Sequence, residues 1–156
     1  FAAMRNLLFM RNVFRKTLRL YPPVPMMVRE VRQTGEVLRS CRVPKNSLII
    51  ISPWYLQRHN QIWERLDEFD PLRWQEMPTS DFQHQAFLPF SSGPRICLGA
   101  EFAMVEGPYL LARIVQKYRL SCRDLPVSQL LANLTLRARS GMHLRFDSRY
   151  GRCSIA

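Results

Sequence analysis

Apolar residues near the start of the chain recur at Leu7, Leu8, Met10, Val13, Phe14, Leu18 and Leu20, close to helical spacing, and predict a helix over 4–20. Tyr21-Pro22-Pro23 ends it, because proline cannot continue a helix and restricts the residue before it. Beyond Pro25 the pattern turns extended. Met26–Val31 reads as a strand, Thr34-Gly35-Glu36 as a turn, and Leu48-Ile49-Ile50-Ile51 as a buried strand. Ser52 to Pro89 is dense in proline and aromatics, with one helical turn at Trp54-Tyr55-Leu56, and a long irregular stretch of this kind is often functional. A second helix is expected from Leu98 to Tyr118, kinked or weakened at Gly107-Pro108. Alternation returns in Leu134–Arg137 and Met142–Phe146, which predict a hairpin about Ser140-Gly141.

Composition narrows the class. At 156 residues and 47% hydrophobic, the chain can bury a core and is not disordered. No run of about 18 apolar residues is present, so no transmembrane segment is expected. The apolar opening is interrupted by Arg5 and Arg11 and makes a poor secretory signal. The net charge of +11 arises from 23 basic and 12 acidic residues, scattered rather than in blocks. It fits a basic docking face, or nucleic acid bound without sequence specificity, for which no reader motif exists. Cys41, Cys97, Cys122 and Cys153 show neither CxxC pairing nor zinc-like spacing with His59, His84 or His143. A reducing, cytoplasmic setting is expected.

The most specific stretch is Phe90-Ser91-Ser92-Gly93-Pro94-Arg95-Ile96-Cys97-Leu98-Gly99, with Phe, Gly, Arg, Cys and Gly at fixed spacing. It resembles the cysteine-ligand loop of the cytochrome P-450 family of heme-thiolate monooxygenases. Thr17-Leu18-Arg19-Leu20-Tyr21-Pro22-Pro23 resembles the end of that family's K helix, and Glu68-Phe69-Asp70-Pro71-Leu72-Arg73-Trp74 its meander. The resemblance implies a mainly α fold with small β-sheets (α+β), here the incomplete C-terminal portion. Residues 1–156 then form one partial domain. Its parts are a K-helix-like segment (5–20), a β-sheet segment (24–52), the meander (53–89), the heme-cysteine loop (90–99), an L-helix-like segment (98–118) and a C-terminal hairpin (134–146).

It also implies a heme whose iron is ligated by the thiolate of Cys97, which precedes a helix whose unpaired amides favour an anionic sulfur. Gly93 and Gly99 would let backbone approach a flat macrocycle, Phe90 would shield the sulfur, and Arg95 would pair with a propionate. Arg29 matches a second propionate ligand, with a salt bridge to Glu30 or a plain edge-strand arginine as alternatives. Val24, Pro25, Met26, Met27 and Val28, and Ser140, Gly141 and Met142, match substrate-lining segments, with ordinary core as the alternative. The family implies an apolar small-molecule substrate and a redox partner, a ferredoxin or flavin reductase, on the basic proximal face. No catalytic side chain is assigned. His59 reads as structural, and Cys41, Cys122 and Cys153 as inert thiols.

The chain departs from the family at one critical place. The K-helix glutamate that pairs with Arg19 and Arg73 is replaced by Lys16, so three cations are expected to converge. The family's oxygen-activating acid–alcohol pair is not in these residues. The expected function is therefore a heme-thiolate module inactive alone, with a non-catalytic remnant, or a basic nucleic-acid-binding protein, as alternatives.

Overall fold

The computed structural model describes residues 7–76, 85–122 and 129–150. Helix α1 spans Leu8–Leu20 and ends at Tyr21, whose N–H donates to the Thr17 carbonyl at 2.7 Å. Its buried residues are Asn12, Lys16 and Arg19 as well as Leu18 and Leu20, while Leu8 and Phe9 are exposed. The inward face is thus partly polar, which apolar periodicity does not reveal.

Strand β1, Met27–Glu30, pairs antiparallel with β4, Leu48–Ile51, placing Val28 opposite Ile50 and Arg29 opposite Ile49. The expectation of a buried strand at Leu48–Ile51 is corrected. Leu48 and Ile50 are about two-thirds exposed (68% and 65%), because this two-stranded sheet is covered on only one face. Between these strands, β2 (Val37–Leu38) and β3 (Cys41–Arg42) form a tight hairpin. Its turn places Arg39 and Ser40 at φ 48° and 55°. That mirror-image turn ordinarily carries Asn or Gly, so the sequence gives no sign of it.

Helix α2, Pro53–Leu56, is one turn long. Ser52 caps it, accepting from the Tyr55 N–H at 3.2 Å and donating to the Pro25 carbonyl at 3.1 Å. A second short helix, α3, spans Arg73–Glu76. Between them lies Trp63, fully buried, whose indole N–H donates to the Leu56 carbonyl at 3.0 Å. Leu18, Leu20, Val31, Trp63 and Ala86 make the apolar core, and Asn12, Lys16, Arg19, Gln57 and Arg73 are buried beside them. So polar a core must be held by hydrogen bonds as much as by apolar burial.

Helix α4, Ala100–Lys117, starts two residues later than expected and runs unbroken through Gly107 and Pro108. Pro108 removes the hydrogen bond to the Met104 carbonyl. Packing against α1 compensates: Pro108 is buried, and the Phe14 ring of α1 lies against Gly107 where a Cβ would stand. Strand β5, Tyr118–Ser121, follows directly and pairs with β8, Arg145–Ser148; β6, Leu130–Ala132, pairs with β7, Leu136–Ala138. The hairpin expected over 134–146 is therefore corrected. A turn exists at Ser140-Gly141, with Gly141 at φ 72°, but its flanks pair outward with different strands. Edge-on packing of Tyr118 on Phe146, with centroids 5.7 Å apart, holds β8 on β5.

Candidate functional site

The loop from Phe90 to Gly99 is shaped by its own backbone. Ser91 and Gly93 take positive φ, 65° and 70°, and Gly93–Arg95 form a single 3-10 turn with Pro94 near its start. The Ile96 N–H donates to the Gly93 carbonyl at 3.0 Å, and the Cys97 N–H to the Phe90 carbonyl at 2.9 Å. The Cys97 carbonyl then accepts from the Ala100 N–H at 3.2 Å, so the cysteine leads into α4 with Gly99 at the N-cap. These bonds fix the cysteine backbone and leave its side chain a free, exposed thiol.

Around it Ile96, Leu98 and Phe102 are exposed, Leu98 completely so. Phe90 is half-buried, and Arg95 is exposed. Gly93 is required by its positive φ. Among the described residues nothing crowds Gly99: a Cβ there would lie an ordinary 3.9 Å from the Cys97 sulfur. An exposed thiol in an apolar surround, with guanidinium groups near, suits a large flat apolar group that bears acidic substituents.

Arg29 reaches this loop. Its Nη2 donates to the Ser91 hydroxyl at 2.7 Å, tying β1 to the cysteine loop. It does not pair with Glu30, which instead meets Arg32 at 3.0 Å. Met27 and Arg29 share the half-buried face of β1, whereas Val24, Met26 and Val28 are exposed. Ser140, Gly141 and Met142 are also exposed, which sets aside ordinary core for them. The Leu136 N–H donates to the Pro23 carbonyl at 2.8 Å, so the C-terminal strands lie beside the segment that carries Val24 to Val28.

The inward face of α1 and the start of α3 carry a buried cationic cluster. Lys16 and Arg19 are wholly inaccessible and Arg73 is 3% exposed. Arg19 donates to the carbonyls of Gln57 and Leu66, and Arg73 to those of Glu64 and Arg65. Backbone carbonyls of the meander thus accept from the two arginines, which Lys16 cannot do in place of the family's glutamate. Lys16 Nζ and Arg19 Nε are buried without a hydrogen-bond partner among the described residues. Burial, then the charges of Arg19 and Arg73, push the Lys16 ammonium down to about 8 from an ordinary 10.5. Burial, with Arg73 and Arg58, holds the Arg19 guanidinium down at about 10. Glu68 and Asp70 pull the other way on Lys16 but are both engaged by Arg65, at 3.1 and 3.0 Å. Neither takes over from the missing glutamate.

Gln57 is the residue that the sequence does not flag. It is completely buried, and its Nε2 donates to the carbonyls of Leu18 and Arg19 at 3.1 and 3.0 Å. Its Oε1 accepts from the Leu88 N–H at 2.9 Å. One side chain therefore joins the end of α1 to the chain two residues before Phe90. Its only sequence signal is a polar residue directly after the Trp54-Tyr55-Leu56 turn. His59 is structural: its Nδ1 accepts from the Gln61 N–H at 3.2 Å, and its ring meets Tyr55 edge-on. Cys41 and Cys122 are free thiols, while His84 and Cys153 lie outside the described residues. No helix among the described residues is long and apolar enough to cross a membrane.

Comparison with known proteins agrees with this geometry. The family model for Cytochrome P450 matches residues 1–144. Cytochrome P450 4B1 of Rattus norvegicus is 31% identical over 136 residues, which cover 87% of this chain and 27% of that protein. Cyclooctatin synthase of Streptomyces melanosporofaciens is 35% identical over 126 residues, covering 81% and 27%. Among solved structures, a 6-coordinated cytochrome P450 from Thermus thermophilus superposes with a TM-score of 0.76 at 31% identity, over 90% of this chain and 36% of that one. A retinoic acid-bound cyanobacterial CYP120A1 gives 0.78 at 25% identity, over 90% and 32%. The chain thus spans about a quarter of the length of the curated relatives it matches. In sequence and in fold, this chain belongs to the cytochrome P450 family.

Proposed function

We propose that the chain is the heme-bearing module of a heme-thiolate monooxygenase, with Cys97 as the proximal ligand. The observation that carries this reading is the exposed Cys97 thiol on a loop locked by hydrogen bonds at Phe90, Gly93 and Ala100. When bound, a thiolate-ligated heme supplies oxygen activation, because an anionic sulfur pushes electron density toward the iron. The chain's own residues bind and orient it. Cys97 offers the sulfur at the entry to α4, where helix-end amides favour the anion. Arg95 and Arg29 offer guanidinium groups to propionates, Arg29 from the position that Ser91 fixes. Phe90 shields the sulfur side from water. The open backbone at Gly99 gives a macrocycle room to approach.

In this reading Val24, Met26, Met27 and Val28, with Ser140, Gly141 and Met142, face an apolar substrate. The basic proximal surface receives a ferredoxin or flavin reductase. Activity requires the part of the fold that the relatives possess beyond the matched quarter. The test is a chain extended with those helices, loaded with heme and examined as the reduced carbon monoxide complex. A thiolate-type Soret band is expected. It should be lost in Cys97→Ser and kept in Cys41→Ser and Cys122→Ser, and its survival in Cys97→Ser would end the assignment.

A second reading, a non-catalytic remnant, is favoured by one observation: Lys16 Nζ is buried without an acceptor among the described residues. Heme that fails to be retained in the extended chain, but is retained after Lys16→Glu, would select it.

A further inference from the structure

Two buried nitrogens that neighbour each other on α1, Lys16 Nζ and Arg19 Nε, have no hydrogen-bond partner among the described residues. Lys16 and Arg19 lie three residues apart on α1, so their side chains are neighbours on one face. Lysine has three donors and no acceptor, and arginine has five donors and none. The other nitrogens of Arg19 are satisfied by the carbonyls of Gln57 and Leu66, and those of Arg73 by Glu64 and Arg65. What is left over is Lys16 Nζ and Arg19 Nε, both inaccessible to solvent. Among the described residues, the acids whose charge acts on Lys16 and Arg19 are engaged elsewhere: Glu68 and Asp70 hold Arg65, and Asp67 faces Arg58 at 3.8 Å.

Like charges in a buried site repel strongly, and each unmet donor carries its own desolvation cost. One bound acceptor of negative charge would relieve both. A carboxylate matches best, since its two oxygens can each accept from one of the two orphaned nitrogens. We propose that Lys16, Arg19 and Arg73 form a binding site for a small carboxylate anion, gripped by Lys16 Nζ and Arg19 Nε, with Arg73 supplying further positive charge. The site is independent of heme and lies on α1 rather than on the cysteine loop. Formate, the smallest carboxylate, makes the least demand on space and is the probe of choice.

The test is urea denaturation of the full chain in rising sodium formate, with sodium chloride at equal ionic strength as comparison. Because a ligand that binds only the folded state stabilises it by mass action, the midpoint should rise along a saturable curve in formate and less in chloride. Lys16→Met, which removes the cation, and Lys16→Glu, which brings its own carboxylate, should both lose the formate response. Lys45→Met, at an exposed position, should keep it. Line broadening of 13C-formate by the folded protein gives a second readout that requires no unfolding, and it should vanish in Lys16→Met. Equal responses to formate and chloride would mean plain screening and overturn the site. So would formate binding that persists unchanged in Lys16→Met.

Discussion

Replacing Lys16 by methionine keeps nearly the same volume and removes one positive charge from a solvent-inaccessible place where it meets no acceptor among the described residues. The fall of the Lys16 ammonium from 10.5 to about 8, caused by burial and then by Arg19 and Arg73, corresponds to about 3 kcal/mol against the charged form at pH 7. That is a large share of the roughly 5–15 kcal/mol that stabilises a typical domain. Lys16→Met should therefore raise stability at pH 7 by about 3 kcal/mol. Lys16→Glu should raise it further, by restoring an acceptor between Arg19 and Arg73.

The sign of the pH dependence follows from the same shift. The folded value lies below the unfolded one, so between about pH 8 and 10.5 the unfolded chain holds a proton that the folded chain has released. Stability of the unsubstituted chain should then rise with pH across that window, and the full penalty should be present below pH 8. In Lys16→Met this rise should disappear. Urea denaturation of the three proteins at intervals from pH 6.5 to pH 9.5, in buffers free of small carboxylates, reads both effects. Equal midpoints at pH 7, together with parallel pH profiles, would show that the lysine is relieved in some other way and that this account of the cluster is wrong.

Gln57→Ala should lower stability by about 3 kcal/mol, since it strands the buried carbonyls of Leu18 and Arg19 and the Leu88 N–H, and urea midpoints measure it. In Gly107→Ala a better helix former gains about 1 kcal/mol, but its methyl collides with the Phe14 ring. Overpacking at about 1–3 kcal/mol should win, giving net destabilisation in a thermal melt that Phe14→Ala partly reverses. Ser91→Ala should change stability by less than about 1 kcal/mol yet weaken heme uptake in the extended chain, by releasing Arg29 from the loop. Equal heme titration curves for Ser91→Ala and the unsubstituted chain would remove Arg29 from the site.

Local chemistry made several features legible from the sequence alone. The stop at Pro22-Pro23, the strands at Met27–Glu30 and Leu48–Ile51, and the turn at Pro53–Leu56 follow from proline geometry, side-chain branching and capping. The ten residues around Cys97 point to the family because they form one continuous segment with Phe, Gly, Arg, Cys and Gly at fixed spacing. What the sequence withheld is set by partners far along the chain. Leu134–Arg137 and Met142–Phe146 alternate as hairpin strands would, yet they pair with β6 and β5, and alternation does not name a partner. Continuity of α4 through Pro108 depends on α1 lying against it at Gly107. Gln57 looks like any loop glutamine until α1 and Leu88 close around it. Sequence showed that Lys16 stands in a glutamate's place. Only the tertiary structure decided that its amine stays buried beside Arg19 and Arg73 instead of escaping to water, because the meander closes over that face of α1 with its carbonyls turned to the arginines.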